Sequence, residues 1–581
     1  MDLAVLGWAW RAALGVLSLA LGFALLLRPF DSLTLLIVLI AVGLAVDGVR
    51  RLVGADRDVR GLVVGGLLLA AAVLVVAWPA ISVSALAVVV GVSFLVNGVL
   101  DLAAAAPRRS ALWGAASGRA GRVAALLSGA ALVIFGALAL IWPDVTILVI
   151  GIGFGVRMIV FGASVIAHAL RDGRRPRASG KPLLRVLDLA GRGLLLALAL
   201  ALLAASMYLH RAPGHPTAFY SAPREVPAEP GRLIRSQPYT HGMLDGTRGW
   251  LILYTTTGVR GEPRFASGFV MAPDQPSAVP RQVVLWTHGT EGADVACAPT
   301  LLPEPQPLIG PVAAMRQEIA RGRVVVGPDY PGAGVRGRQS YLIGVDEGRS
   351  SLDAVRAARQ LDGVSLAAQT VVWGHSQGGQ AAIWTGILAP AYAPEVSIVG
   401  IAAAAPASDL PALVDSTLKT PLGQVLGTFV LRAYAETYPD VRVDEYVDPR
   451  LRTVYRAMSR RCVPARSTVV SGLTAMAAHG SLFSRTPTSG PLAARLAENV
   501  PSGPVAAPLY IAQGTADPLV LPSMQDGYVA HRCATGQPLR YQTYAGRDHL
   551  SLVADDSPYI ADLTAWTQDR FAGVPQRNTC G

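Results

Sequence analysis

The chain has 581 residues, 52% of them apolar and 15% charged, with a formal net charge of +11. That is too long for one core, and a basic balance points to nucleic acid only when it is spread over one surface. Here residues 1–210 carry 18 Lys and Arg against 9 Asp, and the remainder carries 32 against 30 acidic residues, which argues against a nucleic-acid partner and places the excess in connections between apolar segments.

Apolar stretches at about 12–27, 33–49, 61–78, 81–99, 121–141, 144–168 and 184–209 each approach the ~20 residues that cross a bilayer. They predict seven transmembrane helices. The first stretch is read as a retained anchor, because more apolar segments follow it instead of polar mature sequence. The first six pair into three helical hairpins with a proline at each tight connection, at Pro29, Pro79 and Pro143, and the second members carry related ends: Val46-Asp47-Gly48-Val49, Val96-Asn97-Gly98-Val99 and Val160-Phe161-Gly162-Ala163. One two-helix unit used three times is the expected organisation. Over about residues 5–170 this pattern resembles the HdeD-like membrane proteins.

Arginines cluster after the second, fourth and sixth segments, at Arg50, Arg51, Arg57 and Arg60, at Arg108, Arg109, Arg119 and Arg122, and at Arg171, Arg174, Arg175, Arg177 and Lys181. Basic connections face the cytoplasm. The expected topology is therefore a multi-pass plasma-membrane protein with a cytoplasmic N-terminus and an extracytoplasmic C-terminal region. All four cysteines lie in that region, which agrees, since disulfides persist outside the cytosol. Asp47, Asn97 and Arg157 are three polar residues within the apolar segments; scattered as they are, they read as helix-packing or snorkelling groups and not as a transport path.

The expected domains are 1–170, a six-helix membrane domain; 171–210, a basic loop with the seventh helix; 211–230, a Pro-rich, weakly ordered tether; and 231–581, with strands and helices in alternation. Strands are predicted at Trp250–Thr256, Phe265–Met271, Gln282–His288, Val324–Asp329, Thr370–Gly374, Ile398–Ala404, Pro508–Gln513 and Leu539–Tyr544, with a helix at Ser350–Leu361. The fold class is an all-α polytopic membrane domain followed by an α/β domain with a mostly parallel sheet. Residues 407–502 interrupt the alternation with helical sequence and read as a cap or lid.

Gly374-His375-Ser376-Gln377-Gly378 follows a predicted strand and matches the G-x-S-x-G nucleophile elbow of α/β-hydrolases. A serine hydroxyl is a weak nucleophile and needs a base, which in turn needs an orienting acid, in the chain order Ser, Asp or Glu, His. Three histidines follow Ser376. His479 falls within the cap and His531 on a helix, so His549, in the loop after the last strand, is the base. Asp517, in the turn after Ile511–Gln513, is the acid; Asp548 adjoins the base itself, and Asp329 precedes the serine in a structural Asp-Tyr-Pro-Gly turn. The oxyanion donors are expected to be the N–H of Gln377 and one from the loop at Gly289 or Thr290. His288, at the strand end before that loop, reads as structural. No cysteine spacing suits a metal.

Taken together, Phe219-Tyr220, Pro230–Ser236, Thr287-His288-Gly289-Thr290, Cys297-Ala298-Pro299, Pro328–Gly332, Glu347-Gly348-Arg349-Ser350, the elbow and Gly514–Pro518 resemble the secretory lipase family of α/β-hydrolases over nearly all of 217–581. The resemblance implies carboxylic-ester hydrolysis with triacylglycerol as the family's substrate, Ser376, Asp517 and His549 as its triad, a helical lid and no cofactor. It also implies disulfides Cys297 to Cys462 and Cys533 to Cys580. The departure is the multi-span N-terminal half. Serine peptidase or acyltransferase chemistry on the same fold is the enzymatic alternative, and a membrane stress or transport protein with an accessory hydrolase domain is the alternative from another class. Expected partners are the bilayer and a lipid or other ester.

Overall fold

The computed structural model describes residues 3–53, 59–77, 79–105, 119–170, 181–209, 216–302, 310–480 and 482–580. Two compact units make up the chain. One comprises Met1–Arg211 with Val447–Ala457 and Val469–Ser484, and the other Ala212–Tyr446, Met458–Thr468 and Arg485–Gly581.

The first unit contains α1 (Leu3–Leu27), α2 (Pro29–Val53), α3 (Val59–Ala77), α4 (Pro79–Ala105), α5 (Arg119–Ile141), α6 (Pro143–Leu170) and α7 (Lys181–Leu209). Each expected connection proline is the first residue of a helix, where its missing N–H costs nothing. Among the described residues four helices are long and apolar enough to cross a membrane, at Ala85–Ala105, Ala120–Ile141, Pro143–Ala167 and Asp188–Leu209.

The hairpin expectation is corrected in one respect. Helices joined through proline touch each other little, and the extensive packing runs between α1 and α6, between α4 and α5, and between α2 and α3. Glycine explains two of these seams. Gly15 and Gly22 of α1 lie against Gly162 and Gly155 of α6, and Gly91 and Gly98 of α4 against Gly136 and Gly129 of α5, so closely that a Cβ at Gly98 would sit 2.8 Å from the Gly129 carbonyl oxygen. Each helix thus repeats glycine at a spacing of seven. Lipid supplies no hydrophobic drive between helices, so backbone approach and dispersion must hold them. Gly98 and Gly162 are the glycines of the second and third repeated sequence ends, which are packing sites. The Asn97 amide donates to the Ser93 carbonyl on its own helix at 2.8 Å, as a structural role requires, and Arg157 is exposed. The side chain of Asp47 and most of the basic connections lie outside the described residues.

The second unit is built on a nine-stranded sheet of β1 (Leu233–Pro238), β2 (Thr247–Thr257), β3 (Pro263–Pro273), β4 (Arg281–Thr287), β5 (Val324–Pro328), β6 (Leu366–His375), β7 (Ser397–Ala404), β8 (Leu509–Gly514) and β9 (Leu539–Tyr544). The spatial order is β1-β2-β3-β5-β4-β6-β7-β8-β9. β1, β2 and β3 are antiparallel, β3 meets β5 antiparallel, and β5 through β9 are parallel. All eight expected strands form. β1 was not among them, because an edge strand reading Leu-Ile-Arg-Ser-Gln-Pro has too little burial to impose alternation.

Between and after the strands run α8 (Val312–Ala320), α9 (Gly344–Ala358), α10 (Gln377–Tyr392), the inserted α11 (Leu410–Thr417), α12 (Pro421–Thr437), α13 (Val443–Tyr446), α14 (Arg452–Met458), α15 (Thr468–Ala478) and α16 (Gly490–Glu498), then α17 (Pro522–Ala534) and α18 (Pro558–Phe571); of the inserted helices, α14 and α15 fall almost wholly within the stretches assigned to the first unit. Large cores lie on both sheet faces, one around Trp286, Trp373 and Trp566, the other around Ile252, Leu352, Ile383 and Leu509. α9 starts six residues before the expected Ser350, with Asp346 and Glu347 in its first turn, where acidic groups face the positive end of the helix dipole. Part of the Pro-rich stretch is not loose: Phe219 and Tyr220 are buried, and the Tyr220 hydroxyl is 2.9 Å from that of Thr300. Two aromatic side chains committed to a core outweigh the local prolines.

Candidate active site

β6 ends at His375, and Ser376 adopts φ +58° and ψ −120° before α10 begins. A non-glycine residue holds this conformation only when its surroundings impose it. The impositions are visible on both sides. A Cβ at Gly374 would lie 2.0 Å from the Gly378 carbonyl oxygen, and one at Gly378 would lie 1.9 Å from that of Thr287. The Thr287 hydroxyl lies 2.7 Å from the Gly378 oxygen and 2.9 Å from that of Trp373, while the Ser376 N–H donates to Ala404 and its carbonyl accepts from Ala407, both at 3.0 Å. Sheet, turn and helix are therefore locked around the serine, which is 9% exposed.

Asp517 and His549 come to the same end of the sheet, after β8 and β9. Asp517 is buried; its Oδ2 accepts from His549 Nδ1 at 2.8 Å, and its Oδ1 accepts from the N–H groups of Leu519 and Val520, each at 2.9 Å. Gln513 donates to Oδ2 at 3.2 Å. A carboxylate so held fixes the proton of His549 on Nδ1 and leaves Nε2 to accept one. His375 supplies a link that the sequence did not suggest. Its Nε2 donates to the His549 carbonyl at 2.8 Å and the two rings lie 4.7 Å apart, with burial first and His549 second pulling the His375 pKa down to about 3. It is thus a neutral brace between the elbow and the histidine loop.

The other sequence candidates have different surroundings. Asp548 accepts from the N–H groups of Leu550 and Ser551 and caps its own turn. His479 and His531 are exposed, at the end of α15 and in the last turn of α17. His288 is buried against Tyr330, with ring centroids 4.3 Å apart, and burial lowers its pKa to about 4. Asp329 accepts from the hydroxyls of Ser267 and Thr300, both at 2.6 Å, and burial raises its pKa to about 6.

On the oxyanion side, a Cβ at Gly289 would lie 3.8 Å from that of Ser376, which puts the loop in contact with the elbow. Thr290, Ser376 and Gln377 line a cavity of about 30 Å³ together with Leu413, Val414, Leu426 and Val430, room for about two waters. Glu347, unassigned from sequence, is buried here: its Oε1 accepts from Gln377 Nε2 at 2.6 Å and from Leu342 N at 2.9 Å, and burial pushes its carboxyl well above the usual range. Both expected disulfides form. Cys297 pairs with Cys462 and Cys533 with Cys580, at Cα separations of 5.2 and 5.3 Å.

Residues 312–579 match the secretory lipase family. The secretory lipase match contains Ser376, Asp517 and His549 and begins after the Gly289-Thr290 loop. Three matches to a short repeat of unknown function, DUF308, cover 13–61, 63–128 and 127–207, which is the HdeD-like family. Among curated relatives, lipase 6 of Candida albicans is 26% identical over 42% of this chain and 56% of its own length, and a secreted triacylglycerol lipase of Malassezia globosa, LIP4, is 33% identical over 38% and 49%. The chain spans about half the length of these curated relatives. The solved structure of Candida antarctica lipase A superimposes with a TM-score of 0.53 at 19% identity, covering 63% of this chain and 87% of that one, a likeness of fold.

Proposed function

We propose that this protein is a membrane-anchored, extracytoplasmic serine hydrolase that cleaves carboxylic esters of lipids, triacylglycerols included, through an acyl-enzyme. The observation that carries it is Ser376, held at φ +58° on the elbow beside an Asp517–His549 pair at 2.8 Å. Ser376 Oγ attacks the ester carbonyl carbon as His549 Nε2 takes its proton, and the oxyanion receives the Gln377 N–H with a donor from Gly289 or Thr290. His549 then protonates the departing alkoxide, the C–O bond breaks, and the acyl group stays on Ser376. Water repeats the sequence and frees the acid. α11 and α12 serve as the lid within the 407–502 cap, since the cavity beneath them is too small for an acyl chain.

The anchoring half of the reading rests on the apolar helices and the basic loops, which orient the N-terminus to the cytoplasm and residues 231–581 outward. Membranes bearing the full chain should hydrolyse p-nitrophenyl esters, and Ser376→Ala should abolish that turnover. Activity that survives the substitution refutes the assignment, and turnover of amides alone transfers it to a peptidase. A reporter fused after residue 180 should be active only in the cytoplasm.

A further inference from the structure

The two expected oxyanion donors belong to segments far apart in the chain, and one short stretch reaches both. On one side the Tyr341 hydroxyl lies 3.0 Å from that of Thr290. On the other, the N–H of Leu342 donates to Glu347 Oε1 at 2.9 Å, and the same oxygen accepts from Gln377 Nε2 at 2.6 Å. Leu342 is a non-glycine residue at φ +56°, and its carbonyl accepts from the Tyr434 hydroxyl at 2.9 Å. Such a conformation persists only when its surroundings impose it. Tyr341, Leu342 and Gln377 all line the cavity beside Ser376.

Stability alone does not account for a glutamate at this point. Glu347 is fully buried, and among the described residues its Oε2 has no hydrogen-bond partner, nor has Gln377 Oε1. Orphan polar atoms of this kind destabilise a fold, whereas an apolar side chain of the same volume would not. A local rule broken beside a reactive serine points to that site.

The reason lies in Gln377. It is the first residue of α10, and the first N–H groups of a helix have no partner within it. Its own N–H is the expected oxyanion donor. A glutamine side chain left free at this position carries a carbonyl oxygen able to accept from those N–H groups, as capping side chains do, and it would then stand where the substrate oxygen must go. Glu347 engages the amide and draws it aside.

We infer that Glu347 is the positioning residue of the oxyanion hole, holding the Gln377 amide away through one oxygen that also fixes the Leu342 turn, so that the Gln377 N–H stays open to the substrate carbonyl. This role presupposes the serine-hydrolase chemistry proposed for Ser376. Glu347 touches no reacting atom and acts through Gln377.

The test uses the full chain in detergent with p-nitrophenyl butyrate as the probe, and kcat is expressed per serine titrated to completion by a p-nitrophenyl phosphonate, which counts folded sites alone. Glu347→Met fills the same volume without an acceptor. It should lower kcat about a hundredfold and leave KM almost unchanged, since the oxyanion forms only after binding. Glu347→Gln keeps an acceptor oxygen in place of a carboxyl whose pKa burial raises, and should retain most of kcat. The decisive variant adds Gln377→Ala to Glu347→Met. With that side chain gone nothing competes for the N–H, so kcat should recover at least about tenfold, which a mere loss of packing would not produce. A Glu347→Met variant within about threefold of wild type, a Glu347→Gln variant impaired about tenfold or more, or a double variant no faster than Glu347→Met would each overturn the role of Glu347 while leaving the hydrolase standing. Absence of turnover by the wild type would overturn the hydrolase proposal, and this role with it.

Discussion

Both halves of the molecule use glycine to bring backbones together, and for opposite reasons. In the helical half the glycines repeat at a spacing of seven along α1, α4, α5 and α6 and meet one another across two seams; in the sheet-based half Gly374 and Gly378 crowd a single turn and press strand, helix and the Thr287 loop against one serine. Periodic glycine builds an interface whose energy is spread over many weak contacts. Clustered glycine buys one strained geometry, and everything nearby is committed to holding it.

The two uses should break differently. The largest expected effect is at the chemistry that the clustered turn supports: Asp517→Asn should lower kcat for a p-nitrophenyl ester by about 10⁴-fold, because the wrong His549 tautomer is then favoured, while the thermal midpoint moves little. A drop of tenfold or less would detach the elbow from Asp517. Next comes Gly378→Ala. Its methyl group would have to occupy space 1.9 Å from the Thr287 oxygen, and a loss of about 4 kcal/mol or more is expected, read as failure to recover folded, disulfide-bonded protein. Gly98→Leu should be gentler, about 1–3 kcal/mol, since a seam of distributed contacts can shift; helical melting in detergent measures it. Gly66→Leu, with nothing within 4 Å of its Cβ position, should leave that melt unchanged, and equal effects at both positions would show that the seams do not hold the unit.

The smallest effect concerns pH. His375 is held neutral, with a folded pKa of about 3 against an unfolded value of 6.5, so the unfolded chain binds its proton first as pH falls. The stability due to this group is whole above pH 6.5 and declines toward pH 3. Buried Asp329 titrates with the opposite sign, its raised pKa adding stability as pH falls from about 6 toward 3.8, so the difference between wild type and His375→Gln isolates the histidine. That difference should shrink steadily from pH 6.5 to pH 4 in denaturant titrations; a constant difference would mean His375 is no buried brace.

Much of the candidate site was legible before any coordinates. Ser376, Asp517 and His549 follow from a strand, a turn and chain order, because the chemistry restricts residue type, and the fold restricts position, at each step. His375 and Glu347 escaped because their roles are purely spatial. His375 sits inside the elbow motif, yet its partner is a backbone carbonyl 174 residues away; Glu347 was visible only as part of Glu347-Gly348-Arg349-Ser350, with no spacing rule tying it to Gln377. β1 escaped because edge strands carry weak patterns, and the depth of the Pro-rich stretch because local composition overstated its looseness.

The sequence by itself determined what is periodic or chemically restricted: apolar segments of spanning length, repeated helix ends, the basic connections and the order of the candidate catalytic residue types. Tertiary structure decided which helices share a seam, how the serine is strained and what braces the histidine loop. The division has one physical cause. Local sequence encodes backbone period and side-chain chemistry, whereas close approach between distant segments depends on steric fit that exists only once the chain has folded.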